Sequence, residues 1–191
     1  MCHWQGAVAE ARLHLDSAAL TLRGDIRATI ARSDMRDVAL TDDGVLVATP
    51  NGDLLMEFSP DASARWRKAL LKTPPTLAEK LGVSEDSPAY VQGVLDDAAL
   101  KAALINNLVS TPEDAGILVA IILEDRDLDN AAALAQSYPA KHIWLVYRKG
   151  KAAVIGDTVI RSHMRGLGFI DSKTSAVSDQ LTATRYRLRA K

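Results

Sequence analysis

Between Tyr147 and Arg165 the sequence gathers a phenol and five cationic side chains: Arg148, Lys149, Lys151, Arg161 and Arg165. Arg148, Lys149 and Lys151 follow an apolar run that ends at Tyr147, and Arg161 and Arg165 stand one helical turn apart. Guanidinium and ammonium groups that converge on one point hold carboxylates or phosphates. Tyr147, Lys149, Lys151, Arg161 and Arg165 are therefore the candidate anion site. Its expected ligand is an anionic small molecule or an acidic protein surface. The plainer alternative is a solvated basic face paired with acids elsewhere. Residues 73–140 hold three basic side chains against eleven acidic ones, and residues 141–191 hold eleven basic against three acidic. Arg185, Arg187 and Arg189 alternate with Tyr186, Leu188 and Ala190, which puts the three arginines on one face of a final strand.

Other chemistries lack their parts. A dinucleotide or adenosyl cofactor on an α/β sheet needs glycines after the first strand, where bare backbone turns tightly and a helix N-terminus faces the ligand. Here that loop reads Gln92-Gly93-Val94-Leu95-Asp96-Asp97, with one glycine and two carboxylates. The carboxylates suit the helix start as caps and repel a pyrophosphate. No cofactor is expected, and the alternative is an atypical adenosyl site around Gln92, Gly93 and Asp96. The acids Glu124, Asp125, Asp127 and Asp129 could gather a divalent cation, but they also fit a loop and a helix N-cap. His3, His14, His142 and His163 show no metal-ligand spacing, so no metal site is expected. No Gly-x-Ser-x-Gly elbow and no phosphate loop occurs, and no catalytic residue is assigned. The single cysteine, Cys2, excludes an intramolecular disulfide and a cysteine-built metal site.

The elements that must carry these residues divide at Lys72-Thr73-Pro74-Pro75, where two prolines end a helix. Before that point the pattern has period two. Ala7 to Leu15 alternates, Asp42-Asp43-Gly44 and Asn51-Gly52 signal hairpins, and Leu54 to Phe58 is a last strand. Ala62, Trp66, Ala69 and Leu70 stripe a closing helix. Residues 1–72 are expected to form one small antiparallel sheet of four or five strands with that helix, with His3 in a mobile terminus. After Pro75 strand and helix alternate. Thr76 caps Leu77 to Leu81 and Gly82 stops it; Asp96-Asp97 caps a helix through Leu108. Gly116 to Leu123 has no polar face, as a strand buried on both sides requires. Helices over Leu128–Ser137 and Asp157–Leu167 frame a third apolar run, His142 to Tyr147, and Phe169–Val177 and Leu181–Leu188 close as an antiparallel pair. Residues 73–191 are expected to form a mixed sheet with helices on both faces.

With 191 residues, 48% of them hydrophobic and 25% charged, the chain has the composition of folded domains, and its net charge of −1 argues against a whole-protein pull to nucleic acid or membrane. At 5%, its scattered aromatics form no platform for stacked bases. The sequence shows neither a signal-peptide pattern nor a run long enough to cross a bilayer, and cytoplasmic residence is expected.

Leu77-Ala78-Glu79-Lys80-Leu81-Gly82-Val83, Ile143 through Lys151, Met164 through Asp171 and Leu181 through Tyr186 resemble a bacterial family, domain of unknown function 3052, over about residues 75–191. The resemblance implies a reduced, methyltransferase-shaped Rossmann-like fold and brings no activity. The first region is similar in outline to small pleckstrin-homology-like β domains. The expected whole is an α/β and β protein that serves as a non-catalytic binding or interaction module. The alternative is an S-adenosylmethionine-dependent methyltransferase with an atypical cofactor loop.

Overall fold

Gln5 and Gly6 both lie at positive φ, 51° and 81°. Such a two-residue turn matches the right-handed twist of a hairpin. In the computed structural model, which describes residues 1–150 and 153–189, it joins β1 (Cys2–Trp4) to β2 (Ala7–Ala9). β3 (Ala11–Leu15), β4 (Ala19–Gly24), β5 (Ala28–Ala31), β6 (Asp37–Leu40), β7 (Gly44–Thr49) and β8 (Gly52–Glu57) follow, and α1 (Pro60–Leu71) ends the first compact unit, Met1–Pro75.

The expectation of one sheet of four or five strands is corrected here. Eight strands form two sheets, one in the order β2-β1-β8-β7-β6 and one in the order β3-β4-β5. The alternating run from Ala7 to Leu15 is broken at Glu10, so β2 pairs with β1 while β3 pairs with β4. The N-terminus is likewise a strand rather than a mobile tail. β1 lies between β2 and β8, Cys2 is buried, and His3 Nε2 meets the Glu57 carboxylate. Leu20, Leu22, Val45, Val47, Leu54 and Met56 fill the core of this unit.

The second unit, Thr76–Lys191, opens on a capping box. Thr76 Oγ1 accepts from the Glu79 backbone N–H at 3.2 Å, and the Glu79 carboxylate accepts from the Thr76 N–H at 2.6 Å. This starts α2 (Leu77–Leu81), which Gly82 ends at φ 78°. Then come β9 (Ala89–Gln92), α3 (Ala98–Leu104), β10 (Ile117–Ile122), α4 (Asp125–Ser137), β11 (His142–Arg148), α5 (Asp157–Gly166), β12 (Phe169–Ala176) and β13 (Leu181–Leu188). α3 is shorter than expected; the chain passes into a 3₁₀ turn at Ile105–Asn107.

These strands make one mixed sheet in the order β12-β13-β11-β10-β9. β9, β10 and β11 are parallel, and β13 runs antiparallel between β11 and β12. Alternation sorts the apolar strand residues onto two faces. Leu118, Ala120, Ile122, Ile143 and Leu145 pack with Leu128 and Ala131 of α4 and Ile160 and Met164 of α5. Ile117, Val119, Trp144 and Val146 pack with Leu81 of α2 and Leu100 and Leu104 of α3. Both faces are buried, which is why β10 has no polar side.

Candidate functional site

The carboxyl ends of β9, β10 and β11 point to one rim of the second sheet. Tyr147 reaches that rim with its ring buried, so its phenol must find partners in the protein. It donates to the Asp157 carboxylate and shares a 2.8 Å hydrogen bond with Thr184 Oγ1. Burial first, and the Asp157 hydrogen bond second, push the phenol up to about 12. Asp157 opens α5, and one turn later Arg161 Nε donates to its Oδ2 at 2.8 Å. Arg161 also pairs with Asp171, and Arg165 Nη2 donates to Asp171 Oδ1 at 2.9 Å. Burial alone would raise Asp157, but the hydrogen bonds from Tyr147 and Arg161 outweigh it and hold the carboxyl below its ordinary range. Asp171 is lowered chiefly by the hydrogen bond from Arg165.

The structure thus brings Tyr147, Arg161 and Arg165 together, but around two of the protein's own carboxylates. Lys149 is not part of this group; its Nζ donates to the Ser178 carbonyl at 2.6 Å. Lys151 lies outside the described residues. Arg161 and Arg165 are thus neutralised from within the segment by Asp157 and Asp171. Among the described residues, only His163 and Asp129, 3.5 Å apart, pair a basic side chain of 141–191 with a carboxylate of 73–140.

Beside this network the rim holds a cleft of about 560 Å³. Val94, Leu95, Ile121, Ile122 and Leu123 supply apolar walls, with Asp96 and Asp97 on one side and Arg148 and the turn Ser178–Gln180 on another. Val94 and Leu123 are 64% and 54% exposed, so two apolar side chains face solvent at a concave surface. Arg148 has no ion-pair partner among the described residues. The segment Ser178–Gln180 reads as a plain hairpin turn in the sequence. It reaches the cleft because β13 inserts beside β11, a pairing between residues far apart in the chain.

The loop after β9 shows what its glycine does. Gly93 sits at φ +99°, and a Cβ there would lie 3.1 Å from Ile121 Cβ and 3.4 Å from its carbonyl oxygen. Its missing side chain lets the loop pass close against β10. Asp97 caps α3, accepting from the Leu100 N–H at 2.9 Å. Two of the acids after β10 have structural partners: Asp127 accepts from the Glu124 N–H at 3.0 Å at the start of α4, and Arg126 donates to Glu124 at 2.8 Å. Gln92 Oε1, at the strand end, is buried with no hydrogen-bond partner among the described residues. Among those residues no group of three or more His, Cys, Asp or Glu side chains is placed to hold a metal ion. Among the described residues no helix is long and apolar enough to cross a membrane.

No family model matches the chain, and no curated protein does. Among solved structures it is similar to a chain in the crystal structure of a fibrillarin/Nop5p complex, 13% identical over 81% of this chain and 99% of that one, with a TM-score of 0.33. A likeness at that score stops short of a shared fold.

Proposed function

We propose that this chain is a binding module, not an enzyme, and that its ligand is an amphoteric small molecule seated in the cleft at the carboxyl rim. The observation that carries the reading is the cleft itself. It lies outside the carboxyl ends of parallel strands, where open α/β sheets take ligands. Its volume falls within the roughly 300–1,000 Å³ of small-molecule sites. Arg148 would meet an anionic group, Asp96 and Asp179 a cationic or hydroxyl group, and the apolar walls the body between them. Among the described residues no histidine or cysteine lines the cleft, and the Ser178 hydroxyl accepts the Leu181 N–H at 3.2 Å, which supports binding over nucleophilic catalysis.

The finer description of the fold belongs to the same proposal. Three parallel strands followed by a hairpin whose last strand inserts antiparallel support the methyltransferase-shaped Rossmann-like reading. Two sheets closed by one helix support the pleckstrin-homology-like outline of the first unit. Membership of the bacterial family and a cytoplasmic setting rest on the sequence resemblance and on the lone reduced Cys2.

The second reading is an S-adenosylmethionine-dependent methyltransferase. The strand order favours it, as does a cleft that runs along Val94, Asp96 and Asp97. The loop that would cradle the cofactor opposes it, since Gly93 is packed against Ile121. Parallel isothermal titrations with S-adenosylmethionine and with methionine separate the two. The binding-module reading expects the two to bind alike, through the amino-acid group they share. Micromolar binding of the adenosyl compound, at least about a hundredfold tighter than methionine and weakened by Asp96→Asn, would favour the methyltransferase.

A further inference from the structure

Residues directly opposed on neighbouring strands point to the same face of a sheet. Arg185 of β13 is opposed to Trp144 of β11 on one side and to Lys173 of β12 on the other. Arg187 follows on the same face. Trp144 is fully buried, and the Lys173 ammonium and Arg185 guanidinium lie 6.0 Å and 5.8 Å from its ring centroid. Both cations are held in place. Lys173 Nζ donates to the Lys80 carbonyl at 2.7 Å, and Arg185 Nε donates to Ser172 Oγ at 3.0 Å. No carboxylate among the described residues forms an ion pair with Lys173, Arg185 or Arg187.

The other face of the same hairpin is built the opposite way, with Asp157 and Asp171 matched to Arg161 and Arg165. A chain with acids to spare has placed like charges directly across a strand pair, an arrangement that destabilises a sheet. Lys173 alone could serve to blunt an edge strand, since β12 is the sheet edge and carries a bulge between Asp171 and Lys173. That role does not extend to Arg185 and Arg187, one strand further in. The positive field is felt nearby: burial, then Arg185 and Arg187, hold the His142 imidazole towards its neutral form.

We propose that Lys173, Arg185 and Arg187 form a binding site for the phosphoryl group of a small molecule. Three cations call for more than the single charge of a carboxylate, and a phosphoryl dianion supplies it. The Arg185 guanidinium keeps both terminal nitrogens free for paired donation to two phosphoryl oxygens, and Lys173 keeps two N–H groups. The buried indole closes one side of the site to water, and cations held in advance lose less freedom on binding. This site is separate from the rim cleft and does not depend on its ligand.

Isothermal titration of the full chain with pyrophosphate at low ionic strength tests the assignment. Saturable binding is expected, weakened roughly tenfold by Arg187→Gln, about 1.4 kcal/mol, and more by Arg185→Gln. Arg12→Gln, an exposed cation of β3, and Arg148→Gln, in the rim cleft, should leave it unchanged. If Arg185→Gln disturbs the fold by uncovering Trp144, Arg187→Gln decides the matter, because no hydrogen bond or ion pair ties that side chain to the described fold. Absence of saturable binding overturns the site, as does an equal loss in Arg12→Gln and Arg187→Gln. Penta-glutamate or a single-stranded oligonucleotide that binds through these arginines where pyrophosphate does not would also overturn it, in favour of an acidic protein or a nucleic acid.

Discussion

Asp171 accepts from two arginines ten and six residues back along the chain, and Asp157 accepts from Tyr147 and Arg161. Together they hold Tyr147, Arg161 and Arg165 in one self-contained network. Both carboxyls sit below their ordinary range when the protein is folded. The unfolded chain therefore takes up protons first as pH falls. Their contribution to stability is complete above about pH 4 and drains away as pH drops through the lower folded values. Asp171→Asn should cost about 1–3 kcal/mol at neutral pH and flatten the acid limb. Urea unfolding curves taken across the acid range would show both, and an unchanged acid limb would mean that Asp171 is not a partner of these arginines in solution. Tyr147→Phe removes the donor to Asp157 and the acceptor of the Thr184 hydroxyl, and should cost about 1–3 kcal/mol without altering the arginine pairs. The phenol is raised in the folded state, so its share of stability is present below about pH 10 and is lost as pH rises towards its folded value.

At the scale of elements, the local signals of the chain are legible and the long-range ones are not. Thr76, Glu79 and Gly82 mark both ends of α2 by chemistry contained within seven residues, and Asp97 marks the start of α3 in the same way. The apolar run from Ile117 to Ile122 shows that β10 is buried on both faces. Nothing local shows that β13 inserts between β11 and β12, and that insertion brings Ser178 to the cleft. The first unit is misread for a related reason. A two-residue hairpin at Gln5-Gly6 needs positive φ at a glutamine, for which the sequence has no strong signal, and the break at Glu10 lies inside an unbroken alternation. Glycines record where elements approach closely. A Cβ on Gly44 would lie 2.0 Å from the Met56 carbonyl oxygen, so Gly44→Ala must part β7 from β8. It should cost upwards of about 3 kcal/mol, as a change that combines backbone strain with a clash does. Circular dichroism melting would check it, and a melting temperature within two or three degrees of the parent would contradict it. Gly93→Ala, at a positive φ, meets the Ile121 side chain at 3.1 Å and its carbonyl oxygen only at 3.4 Å, and should cost nearer about 1 kcal/mol.

At the scale of the whole molecule, two compact units each own a core. One is closed around Leu20, Val45 and Met56, and the other is split over the two faces of a mixed sheet. Each unit has its own core and is expected to fold without the other. Separate chains of residues 1–75 and 76–191 should therefore give dispersed proton–nitrogen correlation spectra that overlay on the parent away from the cut. A collapsed spectrum from either piece would make the units interdependent. The same spectra test the functional claim most directly. When the full chain is titrated with zwitterionic amino-acid derivatives, the account predicts shifts confined to the rim residues, chiefly Val94, Leu123 and Arg148, and their loss in Arg148→Ala. Shifts scattered over both units, or an identical map in that variant, would contradict it.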